Sequence, residues 1–213
     1  MTVGLDAAQT KALLLHVGEA IVSKQDVLTE ADSVIGDGDH GIGMSLGFTA
    51  ADERSAKTDY TTVNDVFRDV GTTLMATMGG ASGVIFGTMV SGGVKGLAPT
   101  TELTTSTFAT IMQASLAAIK VRAGSDVGGK TMIDALQPAV GALGHAADAG
   151  AELPEAASEA AEAAKVGMEA TKGYPARYGR ARSLGERALG HPDPGAVSVS
   201  IIFDAIAEWL RDR

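Results

Sequence analysis

The 213-residue chain has no cysteine, one tryptophan, six prolines and only 4 % aromatic residues. Without thiols it has no disulfide framework and no thiol chemistry, which suits a reducing cytoplasm. With so few aromatics, a core of Ala, Leu, Val and Met packed against 27 glycines suits close-set helices better than a sandwich of strands. Positive charge is also scarce. The net charge of −9 argues against a nucleic-acid surface and requires any bound phosphate to be held by metal or local dipoles. No apolar run approaches a membrane span, and MTVGLDAAQTK has no basic region followed by an apolar core. The expectation is a soluble cytoplasmic protein with neither nucleic-acid nor membrane partner. Residues 1–213 read as a single domain, long enough to bury about 70 % of its unfolded surface.

What the chain does have is an acidic turn. Asp32 to Gly47, DSVIGDGDHGIGMSLG, sets Asp32, Asp37 and Asp39 in a D-x4-D-x-D pattern, with Gly36 and Gly38 free to take φ > 0. Carboxylates gathered so closely raise one another's pKa. A hard divalent cation keeps all three ionised, takes oxygen ligands and leaves room for phosphate oxygens. The pattern therefore reads as a Mg²⁺ site for a nucleotide's phosphates, although a solvated Asp-Gly turn fits the same letters. A calcium-binding EF-hand fits poorly, because no glutamate stands at the twelfth position of a loop begun at any of these aspartates.

Apolar residues at helical spacing predict about eight helices, with no internal repeat. Two of them, at roughly 5–22 and 24–31, lead into the aspartate loop. GGASGVIFGTMVSGG, residues 79–93, opens a buried helix near Ser82, whose free N–H groups suit either a phosphate or close Gly-mediated packing. Residues 124–131, GSDVGGKT, satisfy the P-loop letters G-x-x-x-x-G-K-[ST], and VSVSIIFD, 197–204, imitates the apolar strand such nucleotidases need. The context fails, because a P-loop leaves one of several parallel strands and this chain is patterned as helix throughout. Residues 153–173 form an Ala/Glu-rich helix. GYPARYGRARSLGERALGHPDPGA is a long irregular stretch of the kind that is usually functional, and Asp193, Pro194 and Gly195 open a last helix.

The runs GDGDHG, GGASGVIFGTM, GGKTM and GRARSLGERALGHPDPGA, in this order across nearly the whole chain, resemble the nucleotide-binding L subunit of bacterial dihydroxyacetone kinases. The resemblance implies an all-α fold, an antiparallel barrel of eight helices with the nucleotide and two Mg²⁺ ions at one end. It implies that Asp32, Asp37 and Asp39 hold both ions and that His40, Gly41, Ile42 and Gly43 line the phosphate side. Ala81 and Ser82 would contact phosphate, Ala123 and Met132 would border the adenine, Arg180 would reach the phosphates, and Asp193, Pro194 and Gly195 would close over the ADP or ATP. His40 joins the three aspartates as the residues that carry catalysis.

The chain departs from the family pattern in three places. Gly43 stands where an asparagine often sits, Leu46 where an arginine often sits, and Ala123 replaces a glycine. By the same resemblance the ketone sits on a histidine of a separate K subunit. The donor is either ATP or a permanently bound ADP recharged by a phosphohistidine protein, the M subunit, of the phosphoenolpyruvate phosphotransferase system. The phosphotransferase-linked mode is the better match for a stand-alone chain with GERALGHPDPG at residues 185–195. A homodimer or hetero-complex is expected, and docking to a transcription regulator is the competing, non-catalytic role.

Overall fold

The computed structural model describes residues 4–213. The described residues hold nine α-helices and no strand beyond the single antiparallel bridge of Leu5 with Leu103. They are α1 (Ala7–Ser23), α2 (Gln25–Ile35), α3 (His40–Ala56), α4 (Val63–Thr77), α5 (Gly80–Ser91), α6 (Thr105–Ala123), α7 (Ile133–Ala149), α8 (Leu153–Ala170) and α9 (Pro194–Arg211). Side-chain caps start four of them. Asp6 and Gln9 form a capping box on α1, and Thr62, Thr104 and Asp193 each accept a first-turn N–H of α4, α6 and α9.

Eight of the nine helices close into a ring. α1 packs on α3, then α4, α5, α6, α7, α8 and α9 follow in order, and α9 returns to α1. Helix α2 is not a stave: it lies against α3 and α9, which accounts for nine helices where eight are expected. Neighbours run antiparallel, as contacts at the two ends show. At one end Leu5 pairs with Leu103, Val63 N–H donates to Thr100 O at 2.9 Å, and Thr105 Oγ1 donates to Ala151 O at 2.9 Å; these tie the starts of α1, α4, α6 and α8 together. The starts of α3, α5, α7 and α9 meet at the other end, around one cavity.

Small residues let the staves approach. A Cβ on Gly71 of α4 would stand 2.7 Å from Gly87 O of α5, and one on Gly87 2.6 Å from Gly71 O. Gly167 of α8 touches the α7 backbone beside Pro138, and Ala156, Ala157, Ala160, Ala161 and Ala164 line the same buried α8 face. The alanine-rich composition of α8 is thus a packing surface. The apolar side chains of all nine helices fill the ring as one core.

Candidate functional site

The aspartate loop is shorter than the sequence predicts, because α2 runs on to Ile35 and carries Asp32 on its last turn. Gly36 N–H closes that turn on Asp32 O at 2.5 Å, and an added Cβ there would collide with the Asp32 carboxylate. Gly38, at φ +80°, then reverses the chain. The outcome is that Asp32, Asp37 and Asp39 each bring one carboxylate oxygen within 4.8 Å of the others, Asp32 buried and the other two open to solvent. Asp39 sits at the start of α3, but its carboxylate makes no capping bond and remains available as a ligand.

Electrostatically the trio is under pressure. Desolvation, then the neighbouring Asp37, hold the Asp39 carboxyl above its ordinary range, with Arg180 pulling the other way. Among the described residues the one cation in direct reach is that guanidinium, with Nη1 2.6 Å from Asp37 and Nη2 3.8 Å from Asp39. Hard oxygen donors gathered this closely, needing positive charge and opening on solvent, fit divalent magnesium. His40 takes a different part. Its N–H donates to Asp32 Oδ2 at 3.2 Å, and its ring Nε2 lies 2.8 Å from Ser198 Oγ of α9. Burial lowers its pKa below the ordinary value, so the imidazole is neutral at pH 7 and ties the start of α3 to α9.

Opposite the acids, Gly79 and Gly80 both adopt left-handed φ, +69° and +58°, with open space where a Cβ would be. They deliver Ala81 and Ser82 to the first turn of α5, which has no side-chain cap. The uncapped first turn of α5 suits an anionic group, as does that of α3 apart from the His40 N–H that Asp32 takes. The start of α9 completes the wall. Asp193, which burial pushes up to about pKa 7, accepts the Ala196 N–H at 2.9 Å, and Gly195 allows α9 to lie beside Met132.

The cavity so formed measures about 590 Å³. It brings together Asp32, Asp37, Asp39, His40, Ile42, Gly43, Ala81, Ser82, Met132, Arg180, Asp193, Pro194 and Gly195. Two expected residues are not on its wall. Gly41 is buried against Gln25 and Thr29, where only a glycine fits between α3 and α2. Ala123 lies exposed at the end of α6; Tyr178, whose hydroxyl donates to Gly124 O at 3.1 Å, lines the cavity at that side. Residue-by-residue reading also passes over Ile35, Met78, Ile85, Phe86 and Tyr178, all on the wall. For Phe86 a signal existed, since it stands one turn beyond Ser82 on α5.

The P-loop letters are refuted locally. Gly128 N–H and Thr131 N–H both donate to the Asp134 carboxylate, at 2.5 and 2.7 Å, so the loop's amides are consumed by the protein. Lys130 is buried and turned away from the cavity, Thr131 alone reaches the wall, and the imitation strand 197–204 is part of α9.

With this geometry in hand, the chain was compared with known proteins. The DAK2 domain pattern matches residues 34–208. The ADP-binding subunit DhaL of a PEP-dependent dihydroxyacetone kinase of Listeria innocua is 35 % identical over 191 residues, 90 % of each chain. The corresponding Escherichia coli subunit is 30 % identical over 203 residues, 95 % of this chain and 97 % of its own. Among solved structures, the dihydroxyacetone kinase of C. freundii in complex with AMP-PNP and Mg²⁺ superposes with a TM-score of 0.76 at 26 % identity; the match covers 98 % of this chain and 35 % of that longer one.

Proposed function

The chain belongs to the DAK2 domain family, and from that premise we propose that it is the ADP-binding, phosphoryl-transferring subunit of a phosphoenolpyruvate-dependent dihydroxyacetone kinase. In this reading residues 1–213 act as one nucleotide-binding domain in the cytoplasm. The observation that carries it is the acid trio set beside the cavity at the end of the ring where α3, α5, α7 and α9 start.

Asp32, Asp37 and Asp39 would hold two magnesium ions. Bound there, the metal supplies the charge neutralisation that lets donor and acceptor oxygens share a phosphoryl group. The chain's own residues do the positioning. The first-turn amides of α3 and α5 receive the phosphate oxygens, Arg180 adds a movable positive charge, and the neutral His40 holds the start of α3 in register with α9. Ile35, Met78, Phe86 and Met132 provide apolar wall for the nucleoside. This reading assigns the ketone to a partner K subunit and the recharging to the phosphohistidine M subunit. The ATP-dependent mode and docking to a transcription regulator are the alternatives this reading displaces.

Mass spectrometry of the native protein tests it: ADP that survives gel filtration is expected, whereas an empty site exchanging millimolar ATP favours the ATP-dependent mode. Replacing Asp37 by Asn should abolish phosphoryl transfer to dihydroxyacetone in the reconstituted complex while leaving the helical circular dichroism spectrum unchanged. Transfer by D37N at more than about a tenth of the wild-type rate would refute the metal assignment.

A further inference from the structure

Lys130 is among the largest fully buried side chains of the protein, at 2 % exposure, and it is the only non-glycine among the described residues with a left-handed backbone, φ +58°. Both features are costly. A left-handed conformation is unfavourable at a residue other than glycine, and a buried ammonium needs partners. Glycines stand immediately before it at 128 and 129, yet the strained position itself is a lysine.

Its partners explain why. Nζ donates to Thr171 O at 2.6 Å and to His191 O at 2.5 Å, two carbonyls separated by twenty positions in sequence. Between them runs the irregular strap that brings Tyr178, Gly179, Arg180 and Ala181 to the cavity wall. The strap's base is closed again beside the ammonium, by Gly190 N–H on Lys172 O at 2.8 Å and Asp193 N–H on Thr171 Oγ1 at 2.9 Å. It also crosses back to the lysine's own loop, where Arg177 N–H donates to Gly129 O at 3.1 Å. The strap exposes Arg180, Arg182 and Arg187, and Ala188 is the one buried residue of its 3₁₀ segment, Arg180–Ala188, so beyond its contact with α2 it has little buried packing to hold it. The anchorage is at the base.

We infer that Lys130 is a positioning residue of the nucleotide site: its ammonium closes the base of the 172–190 strap and thereby fixes the reach of Arg180. Lys130 is not on the cavity wall or in the acid trio, so it acts indirectly, through the strap and beside the Asp193 carboxylate at the strap's base. The inference rests on the functional reading above for its ligand, not for the clamp itself.

Calorimetric titration of Mg·ADP into nucleotide-freed wild type, Lys130→Met, Arg180→Gln and the double variant tests it. Each single change should weaken binding about tenfold or more, the scale of one charge-assisted contact. The double variant should be no weaker than Arg180→Gln alone, because one change acts through the other. Losses that multiply, or unaltered binding by Lys130→Met, overturn the inference. Gly190→Ala, at the exposed end of the same closure and strained at φ +83°, keeps the test readable if Lys130→Met does not fold. It should weaken Mg·ADP in the same non-multiplying way, and unaltered affinity overturns the inference. Hydrogen exchange of residues 172–190 without nucleotide separates the two readings. Faster exchange in the Lys130 or Gly190 variant supports the clamp even if wild type binds no ADP, a result that would defeat the functional reading alone.

Discussion

Arg180 does two jobs that cannot be done at once. Its guanidinium supplies positive charge to Asp37 and Asp39, yet the same carboxylates are the magnesium ligands proposed here. Cation and guanidinium therefore compete, and a bound polyphosphate gives the displaced arginine a new partner. R180Q should consequently bind Mn²⁺ alone at least as tightly as wild type while losing about tenfold or more in Mg·ADP affinity. Paramagnetic resonance of free Mn²⁺ measures the first and calorimetry the second; weakened Mn²⁺ binding in R180Q would show that the arginine supports the ions. At this scale the sequence was partly legible. The aspartates announce themselves because like charges two to seven positions apart with glycines between them have few purposes. Ile35, Met78 and Phe86 do not, because a leucine-class residue on a cavity wall looks the same in sequence as one in the core. Lys130 shows the limit of letters alone: the P-loop match fails on its helical context, and the fold adds that Asp134 takes the loop's amides.

Between elements, the controlling quantity is how closely two staves approach. The reciprocal contact of Gly71 with Gly87 places backbone against backbone across α4 and α5, the helix whose first turn forms the phosphate wall. A methyl group there has nowhere to go, so Gly71→Ala should destabilise the fold by about 1–3 kcal/mol despite the better helix propensity of alanine. Equilibrium urea unfolding measures it, and a stability gain would mean that the two helices do not meet at glycine. A second crossing is sensitive to pH. The Asp52 carboxylate of α3 lies over Gly18 of α1, and desolvation, then Glu19, push its pKa up to about 7. The folded state thus holds a proton that the unfolded state gives up near pH 4, and stability falls as pH rises from about 4 to about 7. Asp52→Asn should flatten that slope and melt higher than wild type at pH 8, by about 2–4 °C for each kcal/mol recovered. Equal melting temperatures at pH 8 would place Asp52 in solvent. Helix positions were well forecast by periodicity, but their ends were not: α2 continues to Ile35 because its last turn is closed by Gly36, a contact that periodicity does not encode.

The whole molecule carries −9, and its proposed ligand is also an anion. The conflict is resolved locally. Because eight staves alternate in direction, the starts of α3, α5, α7 and α9 meet at one mouth beside the ends of the other four, so the ring has no net dipole there and any favourable field is that of first-turn N–H groups close to the cavity. The alternation follows from short connections between successive helices. The ring order does not, since nothing in the hydrophobic pattern distinguishes α2, which stands aside, from the eight that close. First-turn N–H groups are still insufficient by themselves, because Asp32, Asp37 and Asp39 at the same mouth repel a bare diphosphate. Nucleotide binding should therefore be conditional on the divalent cation. Heating the nucleotide-freed protein with Mg²⁺ and ADP at a hundred times the dissociation constant should stabilise it by about 2.7 kcal/mol. That corresponds to a rise of about 5–10 °C in melting temperature for a chain of this length. ADP with EDTA should produce no rise, and Mg²⁺ alone only a small one, since the ion then has three carboxylates and no polyphosphate. An equal shift from ADP in EDTA would mean that helix ends and Arg180 hold the nucleotide unaided, and that the acid trio belongs to something else.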